Sequence, residues 1–289
     1  MKYKILFILL IFLIPITSFA FDSKQFVRFK VIRICKNCDL SESNLSKEDL
    51  NDSFISNTSF KNSELKKVNF EKSQLRNVDF NGSDLSGVNF FESSLSKIDF
   101  SNSILKYSNF QNVSGNNLVF LNSNLINSNI SSSKFKNSKF INSKMKNSNL
   151  MNSEFSKTVF EKIILLEENI ESVKFVDSNM ELINFELSTL KNIQITDSNL
   201  RGANFKSVSL LDVSILNSDM EGAVLTNSKF KNSSLIGVNL KGANLENADL
   251  SGVDLTNSNL EETNLINTNL SGAKLCNTKM PSGLQNNDC

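Results

Sequence analysis

The chain has no histidine and no tryptophan, and only 10 glycines and 2 prolines in 289 residues. Without histidine there is no imidazole base, so a Ser-His-Asp triad and any His-ligated metal site are excluded. So little glycine and proline excludes a collagen-like or Pro/Gly-rich disordered chain. Charge of one sign is lacking too. The 31 Lys and Arg stand against 30 Asp and Glu, which argues against a strongly basic nucleic-acid binder and against a strongly acidic DNA mimic. Asparagine is abundant, as in prion-like tracts, but its regular placement argues for order.

The first segment reads as an export signal. Lys2 and Lys4 precede an unbroken apolar run from Ile5 to Ile14. Pro15 ends that run, and Ser18 and Ala20 put small residues where a signal peptidase reads. Residues 1–20 are therefore predicted to be a secretory signal peptide cleaved after Ala20. The run is short for a membrane span, and no later stretch is long and apolar enough to be one. The mature chain is expected outside the cytoplasm, periplasmic or extracellular, with no stable membrane insertion.

What remains is one repeat. Every fifth residue from Leu40 to Met280 is Leu, Phe, Ile or Met, apart from Gly115. Two residues before each of these centres stands a small or β-branched residue, with Glu48, Leu118 and Glu168 as departures. A period of five matches neither helix nor ordinary strand. It fits a chain that turns a corner once per repeat, with the centre and the residue two before it pointing inward. Gly82, Gly87, Gly202, Gly222, Gly237, Gly242, Gly252 and Gly272 fall two after a centre, where Asn is also frequent. That is the slot of a turn that needs positive φ.

Four corners close a square coil of 20 residues. Stacked at strand spacing, about 12 such coils make a rod on the order of 58 Å long. The stacking puts Phe60, Phe80, Phe100, Phe120, Phe140 and Phe160 in one interior ladder. Phe70, Phe90 and Phe110 form another on the opposite face, with Leu65, Leu85, Leu105 and Leu125 between them. Buried Ser and Thr at the smaller inward position must hydrogen-bond to backbone, since an unpaired buried hydroxyl costs about 1–3 kcal/mol.

The runs Gly242-Ala243-Asn244-Leu245, Ala248-Asp249-Leu250 and Gly272-Ala273-Lys274-Leu275 resemble the A(D/N)LXX motif of the pentapeptide-repeat family. The resemblance covers residues 38–280 and implies an all-β fold, a right-handed quadrilateral β-helix. The middle of the chain departs from the motif by using Ser or Val for Ala and Phe for many Leu. The implied organisation is residues 1–20 signal peptide, 21–37 N-terminal cap segment, 38–280 solenoid and 281–289 C-terminal cap tail. The cysteine-bearing ends resemble those of exported members, although Ser282 stands where such members often have Asp. Four cysteines in an exported chain suggest two disulfides. The favoured pairing is Cys35 with Cys38 and Cys276 with Cys289, the latter a loop of about 14 residues that contributes roughly 3 kcal/mol. A redox role for Cys35-x-x-Cys38 lacks the strand-to-helix setting of that motif. A Cys₄ metal site lacks nearby partners.

Other features have a plain structural reading beside a functional one. Residues 26–34 mix apolar and basic residues and read as an N-terminal strand or short cap over the first coil. Lys24, Arg28, Lys30, Arg33 and Lys36 offer instead an anionic surface contact. Lys134, Lys136, Lys139, Lys144 and Lys146, followed by Glu161, Glu167, Glu168 and Glu171, should ring the rod as solvated charge. Local irregularity is expected near 112–119, at Gly115 and Leu118, and near 163–170, where Glu168 occupies an inward position. Val176, Thr196, Leu216 and Ile236 share one outward slot, an apolar stripe suited to a protein partner or a homodimer contact. No paired acid and base and no nucleotide loop stand out. The expectation is a non-enzymatic exported scaffold that presents flat faces to an unidentified protein partner, with no cofactor and no nucleic acid. The alternative, a DNA-mimicking topoisomerase inhibitor, is disfavoured by the signal peptide and the near-neutral charge.

Overall fold

A computed structural model describes residues 23–282, 285–286 and 289. The predicted signal peptide lies outside the described residues. Side chains at the centre positions turn inward on four walls. Wall I carries Cys35, Ile55 and Leu75 onward, and wall II carries Leu40, Phe60 and Phe80. Wall III carries Leu45, Leu65 and Leu85, and wall IV carries Leu50, Phe70 and Phe90. These centres are buried without a break through Leu260, the glycine at 115 included. All pairing between coils is parallel and in a register of 20, from Ile34↔Phe54 to Asn259↔Lys279.

The fold is the expected quadrilateral β-solenoid, but the coil count differs. Wall I holds eleven strands in series, hence about ten turns rather than twelve. Beyond Ser234–Ile236 the wall I register continues only as isolated bridges, Ser234↔Asp254 and Asp254↔Lys274.

The local chemistry explains the composition. All eight glycines two after a centre have φ between 61° and 72°, and Asn, Asp and Lys take the same conformation at other corners. Where Asn or Asp precedes a centre it commonly accepts the backbone N–H two residues on, as in Asn81 N to Asp79 Oδ1 at 2.9 Å and Glu186 N to Asn184 Oδ1 at 2.8 Å. Each such bond closes an Asx turn that starts the corner. Asparagine amides also stack between coils on wall IV. Asn69 donates to Asp49, Asn89 to Asn69 and Asn109 to Asn89, each at 2.9 Å, and the ladder continues through Asn129 to Asn149. Buried serines reach down one coil: Ser63 Oγ donates to Leu40 O at 2.9 Å and Ser93 Oγ to Phe70 O at 2.7 Å. Among the described residues only Ser53, Ser108 and Ser234 keep a buried hydroxyl without a partner.

The wall II phenylalanines stack at centroid separations from 4.5 to 5.3 Å between Phe60 and Phe160. Phe70, Phe90 and Phe110 face them across the interior, edge to face. A third ladder, Phe135, Phe155 and Phe175 on wall I, was not anticipated. It begins where the wall IV ladder gives way to Ile130 and Leu150, so the interior volume per coil is kept while its bulk moves to another wall.

Gly115 sits at that change of wall. The irregularity expected near 112–119 does not interrupt the strand. Ser114–Leu121 is a continuous strand, with Gly115 paired to Leu95 below and Phe135 above. A Cβ at Gly115 would lie 2.4 Å from the Phe135 ring and 2.7 Å from Leu118 Cδ1. The two irregular residues cancel: the large Leu118 and Phe135 fill the space the glycine leaves.

The N-terminal cap is a helix, Ser23–Ile32, followed by the strand Ile34–Lys36. Phe26 and Phe29 lie three apart and reach the core, Phe29 fully buried and Phe26 partly. That helical spacing decides against a strand over the whole segment. Arg33, at φ 57°, ends the helix. The Lys30 ammonium meets Glu48 at 2.6 Å, and the Arg33 guanidinium donates to the Asp49 carbonyl. Two of the five basic residues thus hold the cap, and Glu48 leaves its inward slot to meet it. The strand at Ile34 already pairs with Phe54, so the first coil is entered before residue 38.

At the other end Thr278–Lys279 pairs antiparallel with Gln285–Asn286, and Cys276 is bonded to Cys289. Cys35 is bonded to Cys38. The Cys276–Cys289 bond closes a sequence separation of 13 over a coil whose Leu270 and Leu275 are only partly buried. Replacing Cys276 by serine is expected to cost up to about 3 kcal/mol locally. Amide exchange over residues 274–280 will speed up while exchange near Phe100 stays unchanged.

Acid should loosen the same end first. The Asp254 carboxyl is held below its ordinary value by the Thr256 hydroxyl at 2.6 Å, against burial and with help from the Thr256 amide and Lys274. Asp249 is lowered by Ser251 and then Asn269. A carboxyl lowered in the folded state stabilises fully above its unfolded value, and that contribution is lost as pH falls through the lowered folded value. Melting temperature is therefore expected to be flat from neutral pH to about 5 and to fall below about 4, with the last coils exchanging first.

Candidate functional site

The regular walls are interrupted at one coil. On wall III, parallel bridges run Asn44↔Glu64↔Asp84↔Ile104↔Asn124↔Lys144 and resume at Ile164↔Asn184. On wall IV they run to Asn129↔Asn149 and resume with Asn169–Glu171 against Thr189–Lys191. Among the described residues no bridge joins Lys144 to Ile164 or Asn149 to Asn169. Walls I and II stay closed at the same level, through Glu154↔Lys174 and Phe140↔Phe160. The coil at 161–172 is thus parted from its neighbour over half its circumference. The asparagine ladder of wall IV stops at Asn149, the same level.

The cause is Glu168. It stands in the column that also holds Val68, Val88, Ser108, Ser128 and Ser188, where only Glu48 at the N-terminal end is likewise charged, and a carboxylate cannot enter an apolar core unpaired. Its side chain leaves the core, and Oε1 accepts from Asn147 N at 2.8 Å. In the coil below, the equivalent amide, Asn127 N, donates to the carbonyl of Lys146 at 3.0 Å. The carboxylate has taken the place of a ladder carbonyl. Its own amide donates to Ser188 Oγ at 2.9 Å, which anchors the far lip. Ser148, the inward residue below it, is partly exposed, whereas Ser128 and Ser188 are buried. The irregularity expected near 163–170 is this split.

A groove of about 760 Å³ opens on wall III at the split. Ile104, Ile126, Ile164 and Leu166 make it apolar, and Lys144, Lys146, Lys162 and Glu168 make it charged. Ile164 is 60% exposed and Ile104 41%. One coil further on, Leu182 and Leu187 take positive φ, 57° and 61°, at corners where Gly, Asn and Ser stand nearby, and both are exposed. A Cβ at Gly202 would lie 2.7 Å from Leu182 Cδ2, so that glycine is what lets Leu182 lie flat on the wall. An apolar side chain in a costly conformation and facing water does nothing for the core. No sequence signal pointed to the groove itself; Glu168 in an inward slot pointed to its cause.

The other sequence-derived residues fall as follows. Val176, Thr196, Leu216 and Ile236 are direct strand partners on wall I, each half-buried. They lie on a different wall from the groove. Lys134 and Lys136 lie on wall I, Lys139 on wall II, and Lys144 and Lys146 on wall III, so the cluster rings the rod and only its last two members reach the groove. Among the described residues no group of His, Cys, Asp and Glu is placed to hold a metal, and no helix is long and apolar enough to cross a membrane.

Fold and walls together define a four-sided β-solenoid with stapled ends. The chain belongs to the pentapeptide-repeat family. The model for pentapeptide repeats matches in 8 copies over residues 93–131, 188–227, 198–242, 218–257 and 243–280, and that for a pentapeptide repeat region matches residues 34–110. The stretch these leave unmatched between 131 and 188 contains the split. Among solved structures, a trypsin-treated variant of QnrB1, a plasmid-mediated fluoroquinolone resistance protein, is 19% identical over 63% of this chain and 91% of its own, with TM-score 0.57. HetL from Nostoc sp. strain PCC 7120, a pentapeptide repeat protein involved in heterocyst differentiation regulation, is 20% identical over 90% of this chain and 98% of its own, with TM-score 0.34. The likeness to QnrB1 shows the fold. No curated protein sequence matches significantly.

Proposed function

We propose that the chain is a non-enzymatic exported scaffold whose walls bind a protein partner. What supports the reading is the division of labour within each repeat. Two side chains in five are consumed by a continuous core, and the other three face solvent on flat walls that differ from one another. On wall I the paired column Val176, Thr196, Leu216 and Ile236 forms a half-exposed apolar strip, the kind of surface that protein contacts use. Acid and base are interspersed on the walls and pair at several points, as between Lys61 and Asp79, Lys66 and Asp84, and Arg201 and both Asp219 and Glu221. A DNA mimic would need an uncompensated acidic face, and a gyrase supercoiling assay is expected to be unaffected by the mature chain.

The test is photo-crosslinking in the native cells, with the reactive residue at Leu216 and a control at Lys191 on wall IV. The expected result is one dominant adduct from position 216 in the exported fraction, on a chain whose N-terminus is Phe21, lost when Ile236 is changed to glutamate. Equal labelling from both positions, or a cytosolic chain that retains Met1, would reject the reading.

A further inference from the structure

The split leaves a strand edge open in the middle of the rod, away from its two ends. In regular coils Leu125 N donates to Lys144 O and Ile130 N to Asn149 O, each at 2.8 Å, while Lys144 N donates to Ser123 O and Asn149 N to Ser128 O. One coil on, the corresponding amides of Met145, Leu150, Ile164 and Asn169 make no backbone hydrogen bond among the described residues. Unpaired N–H and C=O groups in a row are a template for another strand. The lip beside them carries Ile164 and Leu166, and the floor carries Ile104 and Ile126. Lys144 and Lys146 stand exposed at the same edge and form no ion pair among the described residues.

We infer that this slot docks an extended peptide with alternating apolar and acidic residues. Its backbone supplies the missing rungs, its apolar side chains cover the isoleucines, and its carboxylates meet Lys144 and Lys146. The charge complementarity selects an acidic segment. The open rungs select a peptide over an alkyl chain, which has nothing to offer an N–H. Glu168 is the positioning residue, since its carboxylate on Asn147 N keeps the two coils parted. The inference extends the scaffold reading to a second wall and rests on that reading only for the class of partner.

The test uses the mature protein and a fluorescein-labelled octapeptide of alternating Glu and Val, read by fluorescence anisotropy. Two control peptides replace Glu by Lys or carry N-methyl groups on alternate amides. The acidic peptide is expected to bind at least about tenfold more tightly than either control. It should slow amide exchange at Met145 and Ile164 on wall III more than at the other two open amides, Leu150 and Asn169, which lie round the corner on wall IV, and the Lys144→Glu, Lys146→Glu double variant should lose about tenfold in affinity. Glu168→Ser, which restores the regular inward residue, is expected to close the rungs. The same four amides then become protected without peptide, the melting temperature does not fall, and binding is lost. Leu216→Glu on wall I should leave peptide binding intact, so failure of the wall I reading and failure of this one are distinguishable. Binding that ignores the lysines or the N-methyl groups, or no binding up to about 1 mM, overturns the inference. So does concentration-dependent self-association that protects the four amides without peptide, which would assign the slot to a second copy of the chain.

Discussion

Replacing Phe140 by alanine is expected to cost about 3–5 kcal/mol, at the upper end of what a core aromatic yields. The ring is stacked on Phe120 at 4.5 Å and on Phe160 at 5.2 Å, nearly parallel to both. It also meets Phe135 and Phe155 edge to face at 6.0 Å each. Each aromatic pair adds about 0.5–1.5 kcal/mol beyond area burial, and four are lost together. The cavity cannot collapse, because the backbone around it is held in register by its neighbours on walls I and II. Next to it, walls III and IV are already parted. The loss should therefore be local, since a solenoid's stability is a sum over neighbouring coils. Denaturation followed by circular dichroism is expected to separate into two steps, and exchange over residues 134–176 should accelerate far more than exchange over residues 54–100. A single unshifted transition would count against the ladder as the main support of the middle coils.

The second large effect has a counterintuitive sign. From Leu40 to Met280 Gly115 is the only centre that is not Leu, Phe, Ile or Met, and changing it to leucine makes the sequence more regular. The protein is nonetheless expected to lose about 1–3 kcal/mol or more, because the added side chain overlaps the Phe135 ring and Leu118. Leu118→Ser alone should also destabilise, by emptying the space Leu118 fills. The double variant Gly115→Leu, Leu118→Ser is expected to recover part of the loss, so the two changes will be non-additive by at least about 1 kcal/mol. A double-mutant cycle in chemical denaturation measures this. Strict additivity would mean that the two residues do not share the space the fold assigns them.

The two variants probe the same design from opposite sides. The core tolerates exchange of bulk between walls, as the move from Phe110 to Phe135 shows, provided each coil keeps its volume. It does not tolerate charge. Glu48 escapes at the N-terminal end, where the cap helix supplies Lys30. Glu168 has no open end to escape through, so the coil itself gives way, and the walls that give way become the groove. Irregularity of volume is absorbed inside; irregularity of polarity is expressed outside.

The sequence by itself determined the five-residue period, the inward and outward assignment of each position, the turn residues at the corners and the Phe60 to Phe160 ladder. Each of these follows from local stereochemistry and from a register of 20 that repeats without insertion. It also marked Glu168 and Gly115 as exceptions. Only the tertiary structure decided what those exceptions do, because the outcome depends on neighbours one coil away. Phe135 above Gly115 turned an expected irregularity into an unbroken strand. Asn147 beside Glu168 turned an expected distortion into an open pair of walls. The helical N-terminal cap was hidden for a similar reason: ten residues with two inward phenylalanines suit a strand or a helix, and the choice is made by the exposed end of the first coil and by Glu48 and Asp49 waiting there for Lys30 and Arg33.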